Sequence, residues 1–308
     1  MISNNTKNIK AAITAVGGYI PQDFISNKDL EQMVDTNDEW ITARTGIKKR
    51  RILKEKGKAT SYLAVNAAKD LLNRNGVDPK TIDLVILATI TPDYHVASTA
   101  PTVASEIKAL NAYAFDINAA CSGFLYGMST ATSYIESGRY KKVLLIGADM
   151  MSSIVDYTDR STSILFGDGA GAVLVEPSIN DFGWEDEYLR SDGIGAEWLK
   201  VKSGGSMYPT SKESFANKWH YITQEGKTIF KSAVSGMANA TEQIIIRNNL
   251  KPEEIKYLLP HQANKRIIDA TAEKINLDKN KVLMNIEKYG NTTAATIPLL
   301  MYDYEKEF

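Results

Sequence analysis

Residues 71–86 and 244–259 follow the same pattern 173 positions apart: Arg74-Asn75 answers Arg247-Asn248, Pro79 answers Pro252, and Ile82 answers Ile255. In both places a helical apolar stripe gives way to a proline break and then a short apolar run, which reads as helix, turn and strand. A period this long cannot be a solenoid of small units, so it predicts two copies of one α/β unit. The expected division falls near Pro177, giving residues 1–177 and 178–308.

The spacing within each copy supports this. Leu63, Ala67, Leu71 and Leu72 share one helical face and predict a helix over 60–75, and strands are expected at 9–19, 84–87, 113–115 and 142–147. In the second copy, strands are expected at 184–188, 199–201 and 257–259, and helices at 228–247 and 265–275. The run Phe166-Gly167-Asp168-Gly169-Ala170-Gly171-Ala172 opens onto a β-branched strand, where a dinucleotide loop would open onto a helix. Close backbone packing explains these glycines better.

The only cysteine, Cys121, lies in Asn118-Ala119-Ala120-Cys121-Ser122-Gly123, between an expected strand and a helix carrying Leu125, Met128, Ala131 and Ile135 at helical spacing. A lone cysteine is often just a small buried hydrophobe. At a helix N-terminus, however, free N–H groups and the helix dipole favour an anion. Such a setting can bring a thiol from about 8.5 down to roughly 3.5–7.5, so a nucleophilic thiolate is expected. The repeat puts 294 opposite 121, so the turn Tyr289-Gly290-Asn291-Thr292-Thr293-Ala294-Ala295 is the mate of the cysteine turn. His261, at the end of the expected strand 257–259, completes a Cys, His and Asn set drawn from two related halves. Ligand sites favour such junctions.

Several function classes are disfavoured. Lys plus Arg is 36 against 37 for Asp plus Glu, so no global basic field attracts nucleic acid. Three histidines (His95, His220, His261) and one cysteine show no metal-ligand spacing. One cysteine cannot form an internal disulfide, residues 1–21 lack a charged start followed by an apolar core, and no apolar run approaches the roughly 18 residues of a membrane span. A cytoplasmic protein without membrane contact is expected.

In this order, Ala119-Ala120-Cys121-Ser122-Gly123, the glycine run 166–172, His261-Gln262-Ala263-Asn264 and Gly290-Asn291-Thr292-Thr293-Ala294-Ala295 closely resemble the thiolase-fold condensing enzymes, specifically beta-ketoacyl-acyl-carrier-protein synthase III. The resemblance runs from Ile9 to the end. It implies a five-layered αβαβα fold of two βαβαβαββ halves and a homodimer. It also implies a ping-pong condensation in which Cys121 takes the acyl group of an acyl-CoA. Malonyl-acyl-carrier protein then loses carbon dioxide and attacks the acyl-cysteine. His261, neutral with one N–H donor, and Asn291 would stabilise the enolate oxygen. By the same resemblance, Trp40 stacks on the CoA adenine, Arg44 meets the phosphate end, Arg160 lies across the ring and Asn264 lies near the pantetheine arm. Lys231, Lys265 and Arg266 would dock the acidic carrier protein. No tightly bound cofactor is implied, since CoA and phosphopantetheine serve as substrate handles.

Two departures stand out. Where the family has a Phe-Pro-Ser stretch whose Phe closes the partner subunit's acyl pocket, this chain has Val96-Ala97-Ser98, which predicts a roomier pocket. The family also continues past its final helix into a strand and a Gly-Gly-Gly turn that supports the oxyanion hole with the Cys121 N–H. The sequence stops at Phe308 before these, so a shortened form with impaired activity is expected. Other readings are a papain-like protease, which lacks its Cys-Gly-Ser-Cys-Trp signature here, a thiolase, which needs a second active cysteine, an acyltransferase of the same fold using another nucleophile, and an inactive scaffold.

Overall fold

The computed structural model describes residues 9–180 and 182–308. The leader reading of residues 1–21 falls in part on residues 1–8, which lie outside the described residues.

Five strands form the main sheet: β1 (Ala11–Tyr19), β4 (Leu84–Ala88), β5 (Tyr113–Ile117), β6 (Val143–Asp149) and β7 (Gly169–Pro177). Between β1 and β4 lie the short hairpin β2 (Phe24–Ser26) and β3 (Lys49–Arg51), and helices α1 (Asn27–Leu30), α2 (Asp38–Thr45) and α3 (Thr60–Asn75). The sheet order is β1-β7-β6-β4-β5; β4 runs parallel to β5 and β6, while β7 is antiparallel to both β6 and β1. With α4 (Thr99–Glu106) and α5 (Gly123–Glu136), the main elements alternate as βαβαβαββ.

β4 and β6 are buried throughout, as central strands covered on both faces must be. Their side chains alternate between two cores. Val85, Leu87, Leu144 and Ile146 pack with Leu63, Ala67 and Leu71 of α3 and Val103 of α4. Leu84, Ile86, Val143 and Leu145 pack with Phe124, Met128 and Ile135 of α5.

The short α6 (Arg160–Ser163) lies between β6 and β7, and beyond Pro177 come the ribbon of β8 (Leu199–Val201) and β9 (Ile222–Gln224) flanking α7 (Lys212–Ala216), then α8 (Gly226–Arg247), α9 (Lys265–Lys274), α10 (Ile286–Tyr289) and α11 (Thr296–Asp303). Two pairs of left-handed residues repeat the 173-residue offset. Gly76 (φ 62) after α3 matches Asn249 (φ 51) after α8, and Ala120 (φ 47) matches Thr293 (φ 51). The 3-10 turns Ala120–Ser122 and Thr293–Ala295 stand at the same offset, each leading into a helix. The second sheet is far smaller than the first. The expected strand at 257–259 is reduced to a parallel bridge between Leu258 and Val282, backed by Ile245 of α8 and Ile268 and Ala272 of α9. Residues 184–188 form no strand ladder among the described residues. They are tied instead by Trp184 N–H to the Ala11 carbonyl and by Arg247 to Asp186 and the Glu187 carbonyl.

The glycine run is a packing surface. A Cβ on Gly171 would stand 2.7 Å from the Leu299 nitrogen of α11, and one on Gly167 would stand 2.2 Å from the Tyr289 carbonyl oxygen. On β6, a Cβ at Gly147 would stand 2.3 Å from the Ala294 carbonyl oxygen. These contacts bring the second turn against the end of the first sheet. Gly147→Ala is therefore expected to destabilise the protein by more than the roughly 1–3 kcal/mol usual for overpacking, because backbone rather than a flexible side chain must yield. Urea unfolding measures this, and an unchanged midpoint would contradict the close approach.

Candidate active site

Cys121 sits in a 3-10 turn whose preceding residue, Ala120, holds φ 47, a conformation that L-residues rarely adopt. The turn follows β5 and leads into α5, and it packs against the Thr293–Ala295 turn. A Cβ on Gly123 would lie only 3.1 Å from Ala88 Cβ and 3.6 Å from Ala294 Cβ, so small residues allow the two turns to meet.

At the end of β6, Asp149 is fully buried between these turns. Its Oδ1 accepts from Thr89 Oγ1 at 2.9 Å, Ile90 N–H at 2.8 Å, and both Thr91 N–H at 3.2 Å and Thr91 Oγ1 at 2.9 Å. Its Oδ2 accepts from the Thr293 hydroxyl and from Ala294 N–H at 3.4 Å. Burial drives the Asp149 carboxyl upward, while Thr293, Ile90, Thr89 and Thr91 pull it back. Burial prevails, so the carboxyl is held above its ordinary value.

The expected low-pKa thiol is not what the structure holds. Burial pushes the Cys121 thiol up to about 12, the Asp149 carboxylate pushes in the same direction, and the bond from the Cys121 N–H recovers only part. The residue is nonetheless half-buried rather than sealed off. The helix begins two residues later, at Gly123, and its dipole does not outweigh enclosure beside a carboxylate.

Asn291 is buried. Its backbone is clamped by Leu165, which accepts its N–H at 2.9 Å, and by Gly167, which donates to its carbonyl at 3.0 Å. Its side-chain Oδ1 accepts Thr293 N–H at 2.9 Å, so its amide group is oriented by the turn that Asp149 holds. His261 follows the Leu258 bridge, with Nδ1 2.6 Å from Thr296 Oγ1 at the first residue of α11. Burial brings its imidazole down to about 4, so it is neutral at pH 7. Gln262 is wholly buried and ties its loop to the Pro260 carbonyl and to the N–H groups of Asn285 and Ile286.

Trp40, on α2, has Arg44 at 5.4 Å and Arg160 at 5.2 Å from its ring centroid. Arg160 also donates to the Asp35 carbonyl at 2.9 Å. The helix carrying Trp40 is anchored by the fully buried Arg50, which donates to Asn27 Oδ1 at 2.7 Å and the Ile164 carbonyl at 2.8 Å. Asn27 in turn donates to Asp38 at 2.7 Å. Asn264 caps α9, accepting from Arg266 N–H at 2.9 Å. Lys265 pairs with Asp269 at 2.6 Å, and Arg266 covers the Phe230 ring at 4.9 Å. Lys231 is exposed on α8, and Val96 stands 98% exposed.

Sequence reasoning passed over Asp149, Thr293, Thr296 and Arg50. A lone Asp ending an otherwise apolar strand run, Leu144-Leu145-Ile146-Gly147-Ala148-Asp149, was a signal that could have marked the first of them.

A resting thiol pinned high by burial and Asp149 should alkylate with iodoacetamide at a rate that still climbs with pH beyond 9. A plateau below pH 8 would contradict this. Asp149→Asn removes the carboxyl's push on the thiol, so alkylation at pH 7 should quicken, while stability falls by roughly 1–3 kcal/mol. Stopped alkylation and urea unfolding read the two effects separately.

Family models for 3-oxoacyl-[acyl-carrier-protein] synthase III match residues 115–193 and, for its C-terminal part, 245–307. The chain is 52% identical over 297 residues to beta-ketoacyl-[acyl-carrier-protein] synthase III of Porphyromonas gingivalis, covering 96% of this chain and 89% of that one. It is 54% identical over 299 residues to the Chlorobium chlorochromatii protein of the same name, covering 96% and 91%. The crystal structure of the Aquifex aeolicus synthase III superposes with a TM-score of 0.88 at 44% identity, covering 96% of this chain and 91% of that one. With the βαβαβαββ half and its reduced mate, this chain has the thiolase-like fold and belongs to the beta-ketoacyl-[acyl-carrier-protein] synthase III family.

Proposed function

We propose that this chain joins an acyl-CoA primer to malonyl-acyl-carrier protein by decarboxylative condensation, the step that begins fatty acid synthesis. The observation that carries the reading is the packing of the Cys121 turn against the turn that orients Asn291, next to the helix that begins at the His261 partner Thr296.

In the first half-reaction the Cys121 sulfur attacks the thioester carbonyl. The new S–C bond forms as the bond to the CoA sulfur breaks, and the proton of the Cys121 thiol ends on the departing CoA thiol. The thiol rests protonated, so that proton must leave the sulfur as the bond to carbon forms. In the second half-reaction the C–C bond of the malonyl carboxylate breaks and releases carbon dioxide. The electron pair passes into the thioester as an enolate, whose carbon attacks the acyl-cysteine and expels the sulfur. His261 and Asn291 supply N–H donors to the enolate oxygen, which gains charge only in this step. A neutral imidazole suits a donor that must not quench the carbanion with a proton.

The Trp40 ring, with Arg44 and Arg160 beside it, suits an adenine and its phosphates, and Asn264, three residues after His261, suits the pantetheine arm. Lys231, Lys265 and Arg266 supply positive charge for the carrier protein. CoA and phosphopantetheine act as substrate carriers with no resident cofactor. We place the protein in the cytoplasm as a homodimer, with β5 at the end of its sheet offering its outer edge to a second copy, and we divide the chain into two related units near Pro177. Among the described residues, no helix is long and apolar enough to cross a membrane. With Val96 at the position of the family's pocket-closing Phe, primers longer than acetyl fit the partner's pocket.

Intact-protein mass after incubation with a panel of acyl-CoAs tests this. Wild type should gain one acyl group, most from a four- to eight-carbon donor, and Cys121→Ala none. His261→Ala and Asn291→Ala should still take up the acyl group but lose condensation by about 10²–10³-fold. No mass gain by the wild type, or equal labelling of Cys121→Ala, would refute the reading.

A further inference from the structure

Thr293 stands between two side chains from different parts of the fold. Its hydroxyl donates to Asp149 Oδ2 at the end of β6, and its N–H donates to Asn291 Oδ1 at 2.9 Å. A backbone N–H can only donate, so the Asn291 amide must turn its oxygen inward to meet it. Turned the other way, its NH2 group would face a second donor. With Oδ1 spent on the turn, Nδ2 is the end left over, and it makes no hydrogen bond among the described residues. The direction of the Thr293 N–H depends in turn on a backbone at φ 51, which a β-branched L-residue rarely adopts. The bond to Asp149 holds the residue in that conformation. The carboxyl is itself fixed from its other side by Thr89 Oγ1, Ile90 N–H and both polar groups of Thr91.

We propose that Asp149 is a positioning residue for Asn291, acting through Thr293: the carboxyl fixes the Thr293 hydroxyl, and the Thr293 N–H fixes which end of the Asn291 amide faces outward. The link does not depend on whether the carboxyl is ionised, since a protonated Oδ2 would donate to the same hydroxyl and keep the two groups together. Neither Asp149 nor Thr293 makes a hydrogen bond to Cys121 among the described residues. Asp149 does push on the Cys121 thiol and Thr293 does not, so Thr293 is the place to cut the link without disturbing the sulfur. The consequence is asymmetric between the half-reactions: acyl uptake by Cys121 survives the cut, and condensation does not. The weight of Asn291 in condensation rests on the synthase reading above, whereas the orientation of its amide does not.

The test removes the hydroxyl and reads the half-reactions apart. Thr293→Val keeps the branched shape without the oxygen, Thr293→Ala removes the oxygen with less demand on the positive φ, and Thr293→Ser keeps the hydroxyl. Acyl-enzyme made from an acyl-CoA is isolated and chased with malonyl-acyl-carrier protein. In the valine and alanine variants acyl uptake should stay near the wild-type rate, while the chase should slow by about 10²-fold, as a small misplacement near a reacting centre can cost. The serine variant should restore the chase. Asp149→Ala should slow it likewise, and Thr293→Val added to Asp149→Ala should slow it no further, because both cut one link. Side-chain amide spectra of asparagine-labelled protein, with Asn291→Asp assigning the signal, read the orientation without substrate. The Asn291 NH2 signal should shift or broaden in the valine and alanine variants and match wild type in the serine variant. An unchanged chase without the hydroxyl overturns the proposal, as do equal losses of uptake and chase, a serine variant as slow as valine, or additive losses in the double variant. If the valine variant does not fold, the alanine variant decides. A wild type that takes up no acyl group sinks the synthase reading, and the Asn291 signal alone then decides the positioning.

Discussion

A single buried carboxylate organises this molecule. Among the described residues Asp149 pairs with no cation and is satisfied by hydroxyl and amide groups drawn from the loop after β4 and from the turn before α11. Burying a carboxyl on these terms is costly, and removing any partner leaves part of that cost uncovered. The two contributing segments are far apart in sequence, and the carboxyl ties them together. It adds to the burial that holds the Cys121 thiol high, and it steadies the turn that orients Asn291 by its grip on Thr293. Electrostatics and positioning therefore come from the same group.

The glycines around Asp149 make that convergence possible. Gly147 near the end of β6 and Gly171 near the start of β7 lack side chains where the second turn and α11 press close to the backbone. The run from Phe166 to Ala172 superficially suggests a phosphate loop, but its glycines are occupied by Tyr289, Leu299 and Pro298 from within the chain. Arg50 plays a comparable part beneath Trp40. It lies fully buried, brought down to about 10 by that burial, and joins the helix bearing Trp40 to the loop that follows Arg160. Trp40 thus stands on an internal strut, although its own ring meets the surface.

Much of this was legible in the sequence for physical reasons. Helix 60–75 is amphipathic with clean breaks, and its span came out to the residue. Strands 84–87 and 142–147 are continuous apolar runs, which only a doubly covered sheet accepts. At the 173-residue offset, Gly76 and Asn249, and Ala120 and Thr293, carry left-handed backbone. The strand expected at 184–188 did not pair, because a strand exists only where a neighbour supplies the ladder, and local pattern cannot report the neighbour. The thiol was misread for a similar reason. A helix terminus is a local feature, whereas enclosure and the Asp149 charge arrive from β6. Thr296 and His261 are 35 positions apart, and nothing in either local motif tells that one hydroxyl faces one ring nitrogen.

Thr293 is a β-branched residue at φ 51, a conformation that costs roughly 1–2 kcal/mol for an L-residue. Its hydroxyl and its neighbour's amide are held there by Asp149, which belongs to the other half. The turn at Thr293 therefore keeps its shape through a contact with β6, a strand far from it in sequence. Loosening of the turn in turn exposes a buried carboxylate to water, so opening at this junction spreads into the end of the sheet.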